Sequence, residues 1–409
     1  MTQLNKEPQE PQHQDFENPE PGTRNPEPGI YLHLPFCHSK CTYCGFVTRS
    51  FDDDLSQQYL AAIEQEIRAF PPSEIMVNGK RPVIDTIYLG GGTPSILAPE
   101  AIGRLLDACR ERFDVTQQAE ITIEVNPGDT QLERLTGFRQ CGINRASLGV
   151  QSFLDHQLRA TGRDHTAEQS RAAVAALRAA GFDNLSLDLI AGLPNQTMAE
   201  WKYNLHEALA LNPEHLSLYL LEVKEGTKLA DQILSGKLPT PDDDLAAEMY
   251  EALLDILERN GFEAYEISNF ARSKTLRSHH NLKYWTDIPF FGFGVGAHSY
   301  DGDERYHNPS SIHDYLQLMS TQGMAVVGRT ARTPEEKFYE ALMMGLRLRE
   351  GVELSWLASR YEMTLSQAFM RELERLLEAE VVEFQNGVLR LTRRGVLVSN
   401  EVFVALMPE

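Results

Sequence analysis

Residues 37–44 read Cys37-His-Ser-Lys-Cys41-Thr-Tyr-Cys44, so three of the five cysteines lie within eight residues. Thiolates with this C-x3-C-x2-C spacing on one loop can converge on a soft metal centre, and iron-sulfur clusters are bound by such triplets. Three ligands leave one iron of a four-iron cluster without a protein ligand, and catalytic metal sites keep an open position of this kind. The spacing therefore predicts a [4Fe-4S] site with chemistry at its free iron.

Two other uses of the cysteine triplet stay open at this point. A disulfide would leave one cysteine over, and we expect no signal peptide that would take the chain to an oxidising compartment. A structural zinc site needs a fourth ligand, which His38 could supply. Cys109 and Cys141 fall in apolar helical stretches, and we expect them to be buried small side chains without a role.

The composition indicates a soluble cytoplasmic protein. The chain has 409 residues, of which 42% are hydrophobic, and this is enough for two or three domains with a substantial core. It contains no long apolar run, so no transmembrane helix is expected. The formal net charge of -21 disfavours sequence-independent binding of nucleic acid, because the phosphates would be repelled.

The first part of the chain differs from the rest. Residues 1–29 are dominated by Pro, Glu, Gln and Asn, and we predict a disordered tail, because so few apolar residues cannot offset the entropy of ordering. From residue 30 onward, short apolar strands alternate with amphipathic helices. The predicted strands are 30–34, 83–89, 119–125, 143–150, 184–190 and 215–223, and the predicted helices are 55–70, 99–113, 130–140, 166–180, 198–211 and 242–260.

Six β/α units in succession predict a parallel sheet with right-handed crossovers. Six units are two fewer than a complete barrel has. The predicted fold class is therefore α/β, with a partial (β/α)6 barrel at residues 30–265. A doubly wound sheet is the alternative.

The C-terminal region has another character. After a connecting region at 266–332, helices are predicted at 334–348, 353–361 and 365–379. A hairpin follows, because the turn Gln385-Asn386-Gly387 lies between two apolar strands. Residues 333–409 therefore resemble a small winged-helix-like α+β module. In an acidic chain we interpret this module as a lid or a partner surface, since DNA binding would need a basic recognition helix.

Polar or metal-binding groups follow five consecutive predicted strands. In β/α folds, ligands collect where the strands end at their carboxyl edge. Each group has an ordinary explanation by itself, as a tight turn, a helix cap or an ion pair, but the shared location favours a ligand site. In strand order, the groups are the cysteine loop, the glycine turn 90–92 with Thr93, Glu124, Gln151 with Arg163, and Asp188.

The chain resembles radical S-adenosylmethionine (SAM) proteins of the coproporphyrinogen III dehydrogenase-like group, and most closely its haem-chaperone family. The resemblance begins at Tyr31 and rests on the opening Tyr31-Leu-His-Leu-Pro-Phe-Cys37 and on the GGGTPS of residues 90–95. It implies a HemN-like C-terminal domain, and a [4Fe-4S] cluster on Cys37, Cys41 and Cys44 whose free iron chelates SAM. The SAM-contact positions that it implies are Tyr31, Gly91, Gly92, Thr93, Glu124, Gln151, Arg163 and Asp188.

Two features distinguish members of this group. In the porphyrinogen-oxidising enzymes the loop continues as C-x3-C-x2-C-x-C, whereas Phe46 takes the place of that last cysteine here. The stretch His280-Asn281-Leu-Lys-Tyr284-Trp285 matches the H-N-x-x-Y-W motif of the haem-binding chaperones, which implies haem contacts by His280, Tyr284 and Trp285. A histidine beside large aromatic rings could ligate the iron of a flat apolar porphyrin. His279 and His298 are alternative axial ligands.

The predicted function is a haem chaperone that binds haem and transfers it to acceptor respiratory haem proteins, with an electron donor for its cluster. An oxygen-independent coproporphyrinogen III dehydrogenase, which forms protoporphyrinogen IX by decarboxylation, is the alternative, and Phe46 counts against it. A radical SAM enzyme that modifies RNA is disfavoured by the acidity of the chain. The identity of the acceptor, SAM cleavage, a homodimer and attachment to the periphery of a membrane stay open.

Overall fold

The computed structural model describes residues 27–71 and 81–408. The predicted disordered tail at 1–29 lies outside the described residues except for its last three positions. The first strand begins at Gly29, one residue before the predicted start. Within the described ranges, no helix is long and apolar enough to cross a membrane.

The strands are numbered in chain order within the described residues. They are β1 (Gly29–Leu34), β2 (Phe36–Cys37), β3 (Arg49–Ser50), β4 (Val83–Gly91), β5 (Asp114–Val125), β6 (Arg145–Gln151), β7 (Leu185–Ala191), β8 (His215–Leu220), β9 (Glu263–Ala264), β10 (Asn269–Ala271), β11 (Phe290–Phe293), β12 (His298–Tyr300), β13 (Glu304–His307), β14 (Gly328–Ala331), β15 (Val352–Glu353), β16 (Val382–Gln385) and β17 (Val388–Leu391).

The helices of the same residues connect these strands. They span Asp53–Ala69, Pro99–Arg112, Leu132–Gln140, Asp155–Ala160, Ala167–Ala179, Met198–Ala210, Lys228–Leu234, Asp243–Arg259, His279–Trp285, Ile312–Gln322, Pro334–Gly345, Leu354–Arg360, Gln367–Glu378, Arg393–Leu397 and Ser399–Leu406, with 3-10 turns at Pro94–Ile96, Pro127–Asp129 and Lys274–Leu276.

One large sheet dominates the fold, and its centre is parallel. Strands β1, β4, β5, β6, β7 and β8 lie side by side in chain order, with parallel pairing throughout. A doubly wound sheet would reverse its strand order at a switch point. The consecutive order therefore confirms the six predicted β/α units and disagrees with the doubly wound alternative.

The region at 266–332, predicted to be a connection, extends this sheet on both sides. Strand β11 pairs in parallel with the free side of β1, and β12 to β14 continue from it in antiparallel fashion. At the other side, β10 and β9 add antiparallel strands beyond β8. Within the described residues, β14 and β9 each pair on one side only, so the sheet is open there.

The two faces of the parallel strands differ in polarity. In β6, Ala146, Leu148 and Val150 are fully buried and belong to the apolar core beneath the helices. The alternate residues Arg145 and Ser147 point to the opposite face, where they line a cavity. The inner face of the barrel is therefore polar, although it is largely inaccessible to solvent.

The predicted C-terminal hairpin is confirmed. Strands β16 and β17 pair in antiparallel register with Gln385 opposite Val388. The two turn residues, Asn386 and Gly387, both have positive φ, of 53° and 84°, as a type I′ turn requires. Together with β15, the hairpin forms a three-stranded sheet next to the three predicted helices.

Candidate functional site

A cavity of about 360 Å³ lies on the polar inner face of the parallel sheet. This volume is within the usual range for pockets that bind small molecules or cofactors. Most of the residues predicted to bind cofactors meet there. The predicted residues that line it are Cys37, Cys41, Cys44, Gly91, Gly92, Thr93, Glu124, Gln151, Arg163 and Asp188.

The cysteine loop is held at the cavity by its two ends. Cys37 pairs with Ser50 where β2 and β3 run together, and Phe51 N donates to Cys37 O at 2.9 Å. Two donors reach the sulfurs, since Thr93 Oγ1 lies 3.5 Å from Cys37 Sγ and Arg163 Nη1 lies 3.5 Å from Cys41 Sγ. Hydrogen bonds of this kind to sulfur tune iron-sulfur clusters.

The thiols are partly buried, and this affects their protonation. Burial raises the pKa of Cys37 to about 11, and it also raises the pKa of Cys44. Without a metal these thiols are therefore protonated at neutral pH, and a metal must displace their protons to bind.

The donor set fits a cubane cluster. All three sulfurs belong to one loop beside one cavity, with hydrogen-bond donors behind them. In the part of the chain that the structure describes, no three His, Cys, Asp or Glu side chains are grouped closely enough for a single metal ion. Thiolates of a cubane cluster each bind a different iron, so they are spaced more widely than ligands of one ion. His38, the candidate fourth ligand for zinc, uses Nε2 to contact Asp129 Oδ1 at 3.0 Å.

The glycine turn after β4 packs closely against the backbone of residues 34–36. A Cβ on Gly92 would lie 2.6–2.7 Å from backbone atoms of Leu34, Pro35 and Phe36, so no larger residue fits. Gly91 has a φ of +106°, and its N–H donates to Glu124 Oε2 at 3.0 Å. The turn therefore fixes the start of the cysteine loop and orients a carboxylate in the same cavity.

Glu124 and Asp188 are two buried carboxylates on neighbouring parts of the cavity wall. Burial, together with the charge of Asp188, raises the pKa of Glu124 to about 7, against hydrogen bonds from Gly91 N and the Tyr88 hydroxyl. Burial also raises the pKa of Asp188, which accepts from Ser147 Oγ at 3.0 Å. Such carboxylates can accept hydrogen bonds from ribose hydroxyls or from an ammonium group.

Arg163 and Gln151 complete the predicted SAM positions on this wall. Besides Cys41, the Arg163 guanidinium donates to Asn126 Oδ1 at 2.7 Å and to Gly149 O at 2.8 Å, so it bridges the cysteine loop and two strand ends. Gln151 has a positive φ of 65° where the pairing of β6 with β7 shifts register. This irregularity ends the strand and turns the chain at the cavity edge.

Tyr31 is the predicted SAM position that does not line the cavity. Its hydroxyl donates to His33 Nδ1 at 3.1 Å, because His33 Nε2 donates to Val47 O. The Tyr31 ring stacks on Tyr88, which in turn donates to Glu124. Tyr31 thus supports the wall of the cavity from behind.

The predicted haem residues lie at the opposite end of the strands. His280 is buried, and its two ring nitrogens contact Thr86 Oγ1 at 3.0 Å and the Tyr284 hydroxyl at 2.9 Å. Burial lowers the pKa of His280 to about 3, so it is neutral. Trp285 packs beneath the guanidinium of Arg347, 4.6 Å from its ring centre. In this conformation neither nitrogen of His280 is free to bind iron.

Sequence reasoning missed Arg145, Ser147, Tyr88 and Asn281, all of which line the cavity. The alternation in β6 could have indicated the first two, because Arg145-Ala-Ser-Leu-Gly-Val-Gln151 has a non-apolar residue at every second position. Asn281 was quoted within the haem motif, but nothing in its neighbourhood along the chain indicates that it reaches this cavity.

We expect Glu124→Ala and Asp188→Ala to weaken SAM binding by about tenfold or more, since the loss of a hydrogen bond to a charged or polar ligand costs about 1.5–3 kcal/mol. Cluster content should be retained. If Glu124 accepts as a carboxylate, SAM affinity of the parent should fall as the pH drops below about 7, and Glu124→Gln should remove this dependence. Calorimetric titration between pH 6 and 8 measures both effects. Parent-like SAM affinity in both alanine variants would show that the cavity wall is not the SAM site.

The sequence matches the radical SAM superfamily over residues 31–208 and the HemN C-terminal domain over residues 333–398. It is 35% identical to the heme chaperone HemW of Bacillus subtilis (strain 168), over 93% of this chain and 99% of that protein. It is 32% identical to the heme chaperone HemW of Mycobacterium tuberculosis (strain ATCC 25618 / H37Rv), over 93% of this chain and 94% of the relative. Identity is also 32% with the mitochondrial radical S-adenosyl methionine domain-containing protein 1 of Danio rerio, over 93% of this chain and 85% of that protein.

A solved structure with a similar fold is coproporphyrinogen III oxidase (HemN) from Escherichia coli, a radical SAM enzyme. The TM-score is 0.81 at 26% sequence identity, over 95% of this chain and 92% of that chain. This likeness confirms the predicted α/β fold, a radical SAM barrel followed by a smaller C-terminal part.

Proposed function

This chain belongs to the HemW family of radical SAM proteins, and we propose that it is a haem chaperone, which binds haem and transfers it to acceptor haem proteins. The observation that carries the proposal is the 35% identity with the Bacillus subtilis heme chaperone over nearly all of both chains. Acceptors among respiratory haem proteins and an electron donor for the cluster are part of the proposal.

Membership of the radical SAM family brings a [4Fe-4S] cluster and SAM to this chain. We propose that Cys37, Cys41 and Cys44 hold the cluster, and that SAM lies along the cavity wall between Glu124 and Asp188. The cluster, when bound, can supply the electron that cleaves the sulfonium bond of SAM. The residues of the chain would bind and orient SAM.

Apolar side chains around the cavity suit a porphyrin. Phe46, Tyr219 and Leu220 all line it, and they are 66%, 43% and 41% exposed. Aromatic and aliphatic side chains that are this exposed at a pocket often contact a ligand. A flat apolar ring lying over the cavity would cover them. Phe46 also occupies the position at which the oxidising enzymes carry a fourth cysteine.

The haem motif stays part of the proposal, although its role changes. Haem ligation by His280 would require one of its hydrogen bonds, to Thr86 or to Tyr284, to break. His279 and His298 are exposed and need no such rearrangement, but neither lines the cavity, so ligation by either would place the iron outside it. Tyr284 and Trp285 would then act by packing.

Coproporphyrinogen III dehydrogenase activity is the second candidate, because the fold resembles that of the Escherichia coli oxidase over 95% of this chain. Phe46 disfavours it, since a phenyl ring cannot replace a thiol. The two functions differ in a simple way, because a carrier holds haem unchanged whereas the oxidase consumes a porphyrinogen.

We expect the anaerobically reconstituted protein to take up haem at about one per chain and to form no protoporphyrinogen IX from coproporphyrinogen III. The physical reason is that a carrier needs a porphyrin surface, whereas decarboxylation also needs groups placed around a radical. Absorbance titration with haem and product analysis by chromatography are the measurements. Transfer of the bound haem to an apo-haem protein is the positive test.

Two variants serve as controls. Phe46→Cys should not by itself create oxidase activity, and His280→Ala should perturb the haem spectrum by releasing Tyr284 from its hydrogen bond. Rapid protoporphyrinogen formation by the parent, or the absence of haem uptake, would replace the chaperone proposal with the enzyme.

A further inference from the structure

Arg145 is a buried cation whose side chain has no hydrogen-bond partner among the described residues. It is the first residue of β6, it is only 2% exposed, and it lines the cavity. Among residues 27–71 and 81–408, its side chain forms no hydrogen bond or ion pair, and its Nε is buried with no acceptor. A guanidinium stays charged in proteins, and burying an unpaired charge is costly. An anionic ligand in the cavity could therefore neutralise this buried charge.

No carboxylate of the barrel forms a hydrogen bond or ion pair with Arg145 among the described residues, although the charge of Arg145 partly offsets the rise that burial causes in the pKa of Asp188. Glu124 accepts from Gly91 N and from Tyr88, and Asp188 accepts from Ser147. A third group of the inner face, Glu120, accepts from the backbone N–H groups of His279 and His280 at the start of the helix His279–Trp285. Each carboxylate is thus committed to other donors.

Two further polar side chains of this region, one buried and one half-buried, form no side-chain hydrogen bond within the described ranges. Thr122 is opposite Arg145 in the pairing of β5 with β6, and its hydroxyl is buried without a partner. Asn281 lines the same cavity, and the only hydrogen bond of this residue outside the helix ladder is the one from its backbone N–H to Ser278. Buried polar groups normally have hydrogen-bond partners, so we expect a ligand or water to bind in this part of the barrel.

The strand register gives the distance between Arg145 and Glu124 along the barrel. Arg145 pairs with Thr122, and two residues further along the same strands Ser147 pairs with Glu124. At about 3.3 Å per residue, the Arg145 backbone lies roughly 7 Å below the Glu124 backbone. A ligand that contacts Glu124 and extends this far along the strands therefore reaches Arg145.

We propose that Arg145 and Asn281 bind the carboxylate of a ligand that enters this cavity. A guanidinium matches a carboxylate with two parallel hydrogen bonds, and an amide N–H₂ can add a third. The hydrogen bonds of His280 and the contacts of Glu120 fix the helix, so that Asn281 faces the cavity. On this view, part of the H-N-x-x-Y-W motif forms the floor of the cavity.

This inference rests on the proposed function only in one respect, namely which ligand supplies the carboxylate. A propionate of haem and the methionine carboxylate of SAM offer the same chemistry. Three ligands therefore distinguish the sources, namely SAM, haem and haem dimethyl ester, which lacks free carboxylates.

The test is Arg145→Met in the full chain, with thermal unfolding and ligand titration as readouts. Without ligand, we expect the Tm to stay unchanged or to rise, because a buried charge without a hydrogen-bond partner is removed. The affinity for the carboxylate ligand should fall by about tenfold or more, whereas binding of the dimethyl ester should not change. Arg145→Lys should also lose affinity, since a lysine keeps the charge but lacks the planar fork. Asn281→Ala should also lower the affinity for the same carboxylate ligand.

Arg178→Met is the matched control. Arg178 is a paired arginine that contacts Glu214 and the backbone carbonyl of Phe182, and it does not line the cavity. Its loss should lower the Tm and leave ligand affinity unchanged. If Arg145→Met lowers the Tm like the control and binds SAM and haem like the parent, the proposal is overturned. If the parent takes up no haem, the chaperone proposal fails, and the SAM titration still decides the role of Arg145.

Discussion

Cys41→Ala should abolish the visible absorbance of a reconstituted iron-sulfur cluster, and Cys37→Ala and Cys44→Ala should do the same. The physical reason is that a cubane with three protein ligands loses a necessary anchor when one thiolate is removed. In Cys41→Ala the guanidinium of Arg163 also loses its sulfur partner, which lies 3.5 Å away. Absorbance and iron content after anaerobic reconstitution are the measurements.

The two remaining cysteines provide matched controls. Cys109 is fully buried in the helix Pro99–Arg112, and the Cys141 thiol donates to Pro99 O at 3.2 Å. Neither lines the cavity, so Cys109→Ala and Cys141→Ala should keep the full cluster. A full cluster in Cys41→Ala would show that the triplet is not the cluster site.

Gly92→Ala should lower the free energy of unfolding by about 3 kcal/mol and displace the cysteine loop, with loss of cluster content. The added methyl group would lie 2.6–2.7 Å from backbone atoms of three consecutive residues, 34–36. Backbone cannot rotate away as a side chain can, so this substitution belongs to the severe end of overpacking. Denaturant unfolding of the apo protein and iron analysis measure the two effects separately.

A glycine with free space around it is the control for this variant. Gly226 has a φ of +76°, and a Cβ there would meet nothing within 4 Å. Gly226→Ala should therefore cost only about 1 kcal/mol for its left-handed backbone, with the cluster retained. Equal stability losses in the two variants would mean that the close approach at Gly92 is not what limits this turn.

Much of the fold could be predicted from the sequence, because its signals are local. The six parallel strands and their helices follow hydrophobic periodicity, and the C-terminal hairpin follows its Asn386-Gly387 turn. The site could be located for a related reason. Parallel strands bring their carboxyl ends to one edge, so side chains such as Glu124 and Asp188 had to come near the cysteine loop.

The rest depends on contacts between distant segments, which periodicity does not show. The pairing of β11 with β1 was not predicted, and neither was the burial of His280 against Thr86, 194 residues earlier. The sequence does not distinguish a histidine that is free to bind a ligand from one whose two ring nitrogens are already hydrogen-bonded. The missing hydrogen-bond partner of Arg145 is of the same kind, since it depends on what every neighbouring carboxylate already binds.

The pairing of β11 with β1 has a consequence for how the chain folds during synthesis. Gly29 pairs with Phe290, so the ribosome must add 261 further residues before β1 can gain its second neighbour. At about 5–20 residues per second, one edge of this central strand stays unpaired for roughly 13–50 s. An open strand edge is a site for wrong pairing with other chains. The nascent protein therefore needs protection of the free edge of β1 for the whole of this interval.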